Sequence, residues 1–467
     1  MRSLQESRQR WKEFNAYNSK DSLKDDILRK QLTSSPCDGI RSLCWKLFLY
    51  LPDFAPPTWS PVLSSSRDVF TTLRAKLLGP LETGNIGIYD GDPDHPIDPL
   101  AEGPSNPWSK LRKDEELRRE IIQDLERCMP DHDYFRSEKV QKQMLDVLFV
   151  YCKLNADMGY RQGMHEIVAP ILWVVDNDAV QADFEEILEN EKYMLEALDP
   201  AYVEHDTFSL FQAVMHSARP WYELGEDSDD IGEKGNSPIV EKSRMIHEDL
   251  LMAVDPQLAR HLKELEVLPQ VFLIRWIRLL FGREFPFDQL LVLWDSLFAE
   301  DPDFTLVDYI CVAMLLRIRW ELLEFDYSMT LTLLLRYPQP KHPNLPATFV
   351  SDAIYLRNHL DLSGGAYIIS KYSNRTPAPV PMLSPAQSPP TSPSRRGIRS
   401  SDSPVRRTMS PIAGQTARTI PSSSGLDRLV NDLAKGVVGR SKGWGLGKPI
   451  ERLMEELQWN KPFENEK

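Results

Sequence analysis

Cysteine is scarce in this 467-residue chain: there are five, at Cys37, Cys44, Cys128, Cys152 and Cys311, with no Cys-x-x-Cys among them. An odd, scattered set gives neither a disulfide framework nor zinc-ligand spacing, and it fits a reducing compartment. Long apolar runs are missing too. Leu290 to Leu293 and Tyr309 to Leu316 fall far below the roughly 20 residues of a membrane-spanning helix. The opening Met1-Arg-Ser-Leu-Gln-Glu-Ser is too polar for a secretory leader, so any membrane association is expected to be peripheral. No phosphate-binding loop is present: Gly443-Trp-Gly-Leu-Gly-Lys448 runs into Pro449 and offers no hydroxyl to magnesium, which argues against a nucleotidase. His165-Glu166 starts like a zinc-protease helix, but Ala169 stands where the second histidine belongs, so no metal site is expected. The other histidines lack ligand spacing and are expected at the surface or at caps.

Hydrophobic residues make up 42% of the chain, enough for a large core in one big domain or two smaller ones. The net charge of -14 makes the whole molecule a poor nucleic-acid binder, since a duplex would repel most of its surface. Strand-like alternation of Val, Ile and Thr is rare between about Asp21 and Leu360, where apolar-periodic stretches alternate with short polar breaks. Val140, Met144, Val147, Leu148, Tyr151 and Leu154 recur at the spacing of a core-facing amphipathic helix. Gln270 to Phe281 and Asp288 to Phe298 are apolar on most faces, as central buried helices would be, with Pro286 as the break between them and Asp288 as the expected cap. An all-α domain is the expectation.

Two polar segments, 90–109 and 225–237, read as surface insertions. Beyond about Lys371, Ser, Pro, Thr and Arg dominate, a composition that cannot bury enough apolar area to offset chain entropy. From Lys371 to Lys448 there are 13 Lys and Arg against 3 Asp, a net +10 that leaves -24 on the rest of the chain. Ser-Pro pairs at Ser384, Ser388, Ser403 and Ser410 would suit proline-directed phosphorylation, which would reduce that positive charge. Segments 425–435 and 449–458 have helical apolar spacing that would suit short partner-binding helices.

Two short segments bear on chemistry. In Ile121-x-x-Asp124-x-x-Arg127 the spacing runs along one helical face, so Ile121 can pack inward while Asp124 braces Arg127. In Gly159-Tyr160-Arg161-Gln162-Gly163-Met164 the Gln162 amide can accept from a water and donate to a phosphate oxygen, and Gly163 permits close backbone approach. Pro170 is expected to end that segment. Singly, each reads as an ordinary solvated arginine and an ordinary loop.

With Arg41-Ser-Leu-Cys-Trp45 upstream, the two segments resemble, in order, the three signature motifs of the TBC domain, the helical fold that activates Rab GTPases. The likeness continues through Arg275 to Pro286, Leu293-Trp294-Asp295 and Leu306-Val-Asp-Tyr309, covers roughly residues 35 to 340, and is nearest to the member 5 branch of that family. It implies a helical lead-in at 1–30, a TBC domain at 31–360 and a disordered basic tail at 361–467. It also implies that Arg127 and Gln162 are arginine and glutamine fingers, with Asp124 as the brace and Tyr160, Gly163, Arg41 and Trp45 in support, the last two mainly architectural. Such a protein is no independent enzyme: GTP and Mg are bound by the partner Rab, and no cofactor of its own is needed. An arginine supplied in trans can raise GTP hydrolysis by roughly 10³ to 10⁵, about 4 to 7 kcal/mol of transition-state stabilisation. Lysine would serve less well, because the guanidinium fork can span two phosphate oxygens. Cys128 stands where the family usually has threonine, which bears only on local geometry.

Members of that branch associate with retromer, the endosomal sorting coat, through a Pro-Leu turn. Pro99 and Leu100 in the first insertion match it, and a leucine on a proline-stiffened turn can enter an apolar pocket at small ordering cost. The resemblance therefore implies a cytoplasmic protein on endosomal membranes acting on a late-endosomal Rab. The alternative is a TBC-fold scaffold that binds a Rab or retromer without accelerating hydrolysis.

Overall fold

The computed structural model describes residues 2–31, 35–83, 107–181, 187–223, 237–373 and 375. The N-terminal half comprises α1 (Leu4–Phe14), α2 (Lys20–Arg29), α3 (Arg41–Leu49), α4 (Trp59–Thr83), α5 (Pro107–Leu125), α6 (Glu138–Leu154), α7 (Met164–Asp178), α8 (Lys192–Ala197) and α9 (Val203–Ala218). The C-terminal half comprises α10 (Pro238–Met245), α11 (Met252–Val254), α12 (Pro256–Glu264), α13 (Gln270–Arg278), α14 (Phe287–Glu300), α15 (Leu306–Arg317), α16 (Arg319–Glu324), α17 (Tyr327–Leu335), α18 (Thr348–Asn358) and α19 (Leu362–Ser373). Among the described residues the only strands are β1 (Arg2–Ser3) and β2 (Val180–Gln181), a parallel pair with Arg2 opposite Val180.

Hydrophobic periodicity explains most helices. In α6 the expected stripe of Val140, Met144, Val147, Leu148 and Tyr151 is buried, with Leu154 half-buried at the end. The helix α14 is buried along nearly its whole length, as its composition requires. By contrast α13 buries one face only, Phe272, Leu273, Trp276 and Ile277, and ends at Arg278. Leu280 and Phe281 then adopt left-handed backbone, φ 43° and 65°, costly for non-glycine residues and held by surrounding packing. Asp288 is not the cap of α14: Pro286 occupies that position without a side-chain cap bond, and Asp288 lies in the first turn, where its charge favours the positive end of the helix dipole.

The 1–30 segment, expected as a helical lead-in, holds α1 and α2. Leu4, Trp11, Phe14, Leu23 and Ile27 are buried in one cluster with Ile40, Leu43, Leu47 and Trp59, and Trp11 stacks on Phe14 with ring centroids 5.5 Å apart. A capping box between Ser3 and Glu6 starts α1. At the other end, order continues past residue 360: α19 lies against α15 and α18 and buries Ile368 and Ile369. Arg317 fixes it by sitting 3.7 Å from the Phe349 ring centroid and 3.9 Å from that of Tyr372. The tail from 376 onward, including segments 425–435 and 449–458, lies outside the described residues. So do most of both insertions, with Pro99 and Leu100; only Pro107 to Ser109, which open α5, and Ser237, the N-cap of α10, fall within them.

Candidate functional site

Ile121 and Leu125 are buried, 0% and 3% exposed, and anchor the end of α5. The helix stops at Leu125, so Arg127 is not on the helical face expected for it but in the turn beyond. That turn is tight: the Arg127 N–H donates to the Asp124 carbonyl at 3.2 Å, and Cys128 N–H to Leu125 at 3.1 Å. Left-handed Met129, φ 41°, followed by Pro130, prevents the helix from continuing. Arg127 Nη2 donates to Asp124 Oδ1 at 2.7 Å and Nε to the Gln123 carbonyl at 3.1 Å, yet the side chain is 69% exposed. So exposed an ion pair adds little stability. What it does is limit the directions in which the guanidinium can point.

The segment 159–163 supplies the second group. Gly159 and Gly163 have φ +63° and +107°, and Gly163 is the N-cap of α7. A Cβ on Gly163 would stand 2.9 Å from Leu279 Cδ2, so glycine is needed there both for backbone and for space. Between the glycines Tyr160 points inward, 4% exposed, while Gln162 is exposed. Pro170 does not end the segment; it lies inside α7.

Tyr160 joins the two segments. Its hydroxyl donates to Asp124 Oδ2 at 2.8 Å, and burial together with the Asp124 carboxylate pushes its pKa far above the normal tyrosine range, so the hydroxyl keeps its proton. The same hydroxyl lies 2.9 Å from His165 Nδ1. Beyond it, His165 Nε2 is 3.6 Å from Glu166 Oε1, and Arg283 donates to Glu166 through Nε at 2.8 Å and through Nη2. Burial opposes ionisation of Glu166, but hydrogen bonds from His165 and Arg283 hold its carboxyl below the ordinary glutamate value. His165, Glu166 and Arg283 are not among the expected site residues, and His165 is buried; of the other histidines, His247 is buried as well, not at the surface. The first two stand two and three positions after Gly163, a signal available in the chain; Arg283 is 117 residues away from Glu166, and only the fold connects it. Cys128 lies buried beside the site, where desolvation raises its thiol and leaves it a small apolar filler.

Arg41 and Trp45 do not join this surface. Arg41 Nε donates to Asp295 Oδ1 at 2.9 Å, Trp45 Nε1 donates to the same oxygen at 2.8 Å, and Ser35 takes Oδ2 at 2.7 Å. One buried carboxylate on α14 thus collects three donors from the N-terminal segment. Among the described residues no group of three or more His, Cys, Asp or Glu is placed to hold a metal ion. No described helix is long and apolar enough to cross a membrane.

An all-helical domain with an exposed arginine, a carboxylate brace and a glutamine held between two left-handed glycines defines a recognisable class. Residues 101–323 match the family model of the Rab-GTPase-TBC domain, a range that holds Arg127, Gln162 and Arg283 and leaves out Arg41 and Trp45. This chain belongs to the TBC Rab-GAP domain family. Human TBC1 domain family member 5 is 36% identical over 353 residues, 71% of this chain and 43% of that protein. A Dictyostelium discoideum relative, TBC1 domain family member 5 homolog B, is 27% identical over 401 residues, 64% of this chain and 38% of that protein. Human TBC1 domain family member 13 is 27% identical over 375 residues, 65% of this chain and 87% of that protein. The chain therefore spans less than half the length of the member 5 proteins that it matches. The crystal structure of the Ypt/Rab-GAP domain of Gyp1p aligns with a TM-score of 0.53 at 18% identity, over 72% of this chain and 93% of that one, a likeness of fold.

Proposed function

We propose that this chain is a GTPase-activating protein for a Rab-family small GTPase, contributing two residues in trans to an active site that the Rab itself contains. Arg127 neutralises charge that develops on the transferred phosphoryl group, and Gln162 orients the attacking water. Asp124 holds the guanidinium, with Tyr160 behind it. GTP and Mg belong to the Rab, so the chain needs no cofactor of its own. The observation that carries this reading is the pairing of exposure with restraint at Arg127: 69% of the side chain faces outward while Asp124 Oδ1 holds it at 2.7 Å. A catalytic cation supplied to another protein needs both. Exposed Gln162 on the adjoining segment favours activity over a scaffold role.

The cellular setting is part of the same proposal. The chain acts in the cytoplasm on endosomal membranes, on a late-endosomal Rab, with retromer docking through Pro99 and Leu100 and peripheral attachment through the basic tail. The domain is taken as residues 31–360 with insertions at 90–109 and 225–237, with α1, α2 and α19 packed onto it as described above.

The test is single-turnover GTP hydrolysis on a panel of purified Rabs, comparing wild type with Arg127→Ala and Gln162→Ala. Acceleration of one or a few Rabs, reduced by about 10³ or more without Arg127 and also reduced without Gln162, is the expected result. Measurable Rab binding with no acceleration would instead make the protein a scaffold.

A further inference from the structure

The brace behind Arg127 does not end at Asp124. Four buried side chains stand together: Asp124, Tyr160, His165 and Glu166 are 7%, 4%, 4% and 3% exposed, and His165 Nδ1 lies 2.9 Å from Tyr160 Oη, closer than the 3.5 Å that separates it from Asp124 Oδ2. Arg283 closes the far end from the turn between α13 and α14. The protons can be placed by elimination. Tyr160 has one hydroxyl hydrogen, and it is given to Asp124 Oδ2 at 2.8 Å. The 2.9 Å contact between Tyr160 Oη and His165 Nδ1 therefore needs the hydrogen on Nδ1, with the hydroxyl oxygen accepting. Donation into that oxygen polarises the hydroxyl toward Asp124, and each bond in such a chain strengthens the next. The Asp124 carboxylate is then fixed on one oxygen by Tyr160 and offers the other to Arg127. Glu166 and Arg283 set the imidazole plane from behind: Nε2 faces Glu166 Oε1 at 3.6 Å, and Arg283 pins that carboxylate from a turn built on left-handed Leu280 and Phe281.

We propose that His165 is a positioning residue for the arginine finger, holding the Tyr160 hydroxyl in the one orientation that fixes Asp124, and that Glu166 with Arg283 holds His165. The proposal rests on the reading of Arg127 as a catalytic finger. It separates two roles that a buried histidine can have. A space-filling imidazole could be replaced by any side chain of similar volume, whereas a positioning one is defined by a donor at the Nδ1 site.

Asparagine tests this, because its Nδ2–H occupies about the place of histidine Nδ1–H; leucine fills the volume without a donor, and glutamine sets its amide further out, near the Nε2 position. Single-turnover hydrolysis on the responsive Rab should fall between about tenfold and a hundredfold in His165→Leu and His165→Gln, with the half-saturating concentration within about twofold of wild type. His165→Asn should recover most of the loss. Tyr160→Phe should match His165→Leu, and the double variant should be no slower than either alone, because both cut one chain. If His165→Leu does not fold, the comparison of Asn with Gln and the Tyr160→Phe result decide. A wild-type maximal rate in His165→Leu, a loss confined to affinity, or an Asn variant no better than Leu would overturn the proposal.

A second readout does not need a responsive Rab. The Arg127 Nε–H signal in ¹⁵N-labelled protein, identified by its disappearance in Arg127→Lys, should move toward the free-arginine position in His165→Leu and return in His165→Asn. If wild type accelerates no Rab, the functional reading fails, and an Arg127 signal unmoved in His165→Leu then overturns the positioning role separately.

Discussion

Tyr160 and Asp124, thirty-six residues apart in sequence, share a buried hydrogen bond of 2.8 Å. That bond ties the end of α5 to the glycine-bounded turn before α7. Removing the hydroxyl in Tyr160→Phe leaves a buried carboxylate short of a donor, which costs about 1 to 3 kcal/mol. Urea unfolding of the variant should show that loss, and an unchanged midpoint would mean that the bond adds nothing to stability.

Gly163→Ala meets two obstacles. The backbone stands at φ +107°, and the new methyl would lie 2.9 Å from Leu279 Cδ2. The end of a leucine side chain can shift, but the backbone strain stays, so the variant should lose more than about 1 kcal/mol. Displacement of Gln162 should reduce Rab-stimulated hydrolysis as well. Adding Leu279→Ala should relieve only part of both effects; full recovery would show that the clash alone was responsible.

Asp295→Ala should be among the most destabilising single changes in the described fold. It leaves Arg41 buried and unpaired and removes the acceptor of Trp45 and Ser35, an uncompensated charge of the kind that costs about 3 to 5 kcal/mol. If the proposed function holds, the hydrolysis rate per folded molecule should be unaffected, because none of these groups touches Arg127 or Gln162. A rate that falls while stability holds would contradict the architectural role of Arg41 and Trp45.

The pH dependence of stability should carry the signature of Asp178. Burial raises its carboxyl to about 6, against the lowering effect of the Ser42 N–H, Arg41 and Arg2. Between the ordinary value near 3.8 and about 6 the folded protein keeps a proton that the unfolded chain has released. The group's contribution to stability is therefore fully present below the unfolded value and declines as pH rises through that window, by at most ~3 kcal/mol at ~1.4 kcal/mol per pH unit. In Asp178→Asn that decline should vanish, so the variant should gain on wild type between pH 4 and 6.5 in denaturant unfolding. Parallel curves would exclude the effect.

Cutting the chain after residue 360 or after 376 should give different proteins. The longer form keeps α19, whose Ile368 and Ile369 are 0% and 1% exposed and whose Gly365 meets the Val254 carbonyl so closely that a Cβ would collide with it. Loss of two fully buried isoleucines alone costs at least about 3 kcal/mol, so the shorter form should melt well below the longer one. Equal melting would show that α19 docks without stabilising.

The sequence by itself determined the helical class, because apolar spacing of 3.6 residues is a local property: Val140 to Tyr151 could form a buried stripe only as a helix. It also determined the Asp124–Arg127 ion pair, since the two residues are close enough in the chain to pair wherever the segment folds. What it left open was set by contacts between distant residues. The helix α5 ends two residues before Arg127 and α13 ends before Leu280, because left-handed turns at Met129 and at Leu280 and Phe281 are stabilised by the packing around them, against local preference. The helix α19 is held in place by Arg317, 55 residues earlier in sequence than Tyr372, which it contacts. Arg283 joins the group of side chains behind Arg127 only because the fold brings it to Glu166. Side-chain spacing within one helix is written in a short stretch of sequence, whereas the partner of a buried charge depends on which surfaces meet when the helices pack, and that is decided by the whole chain at once.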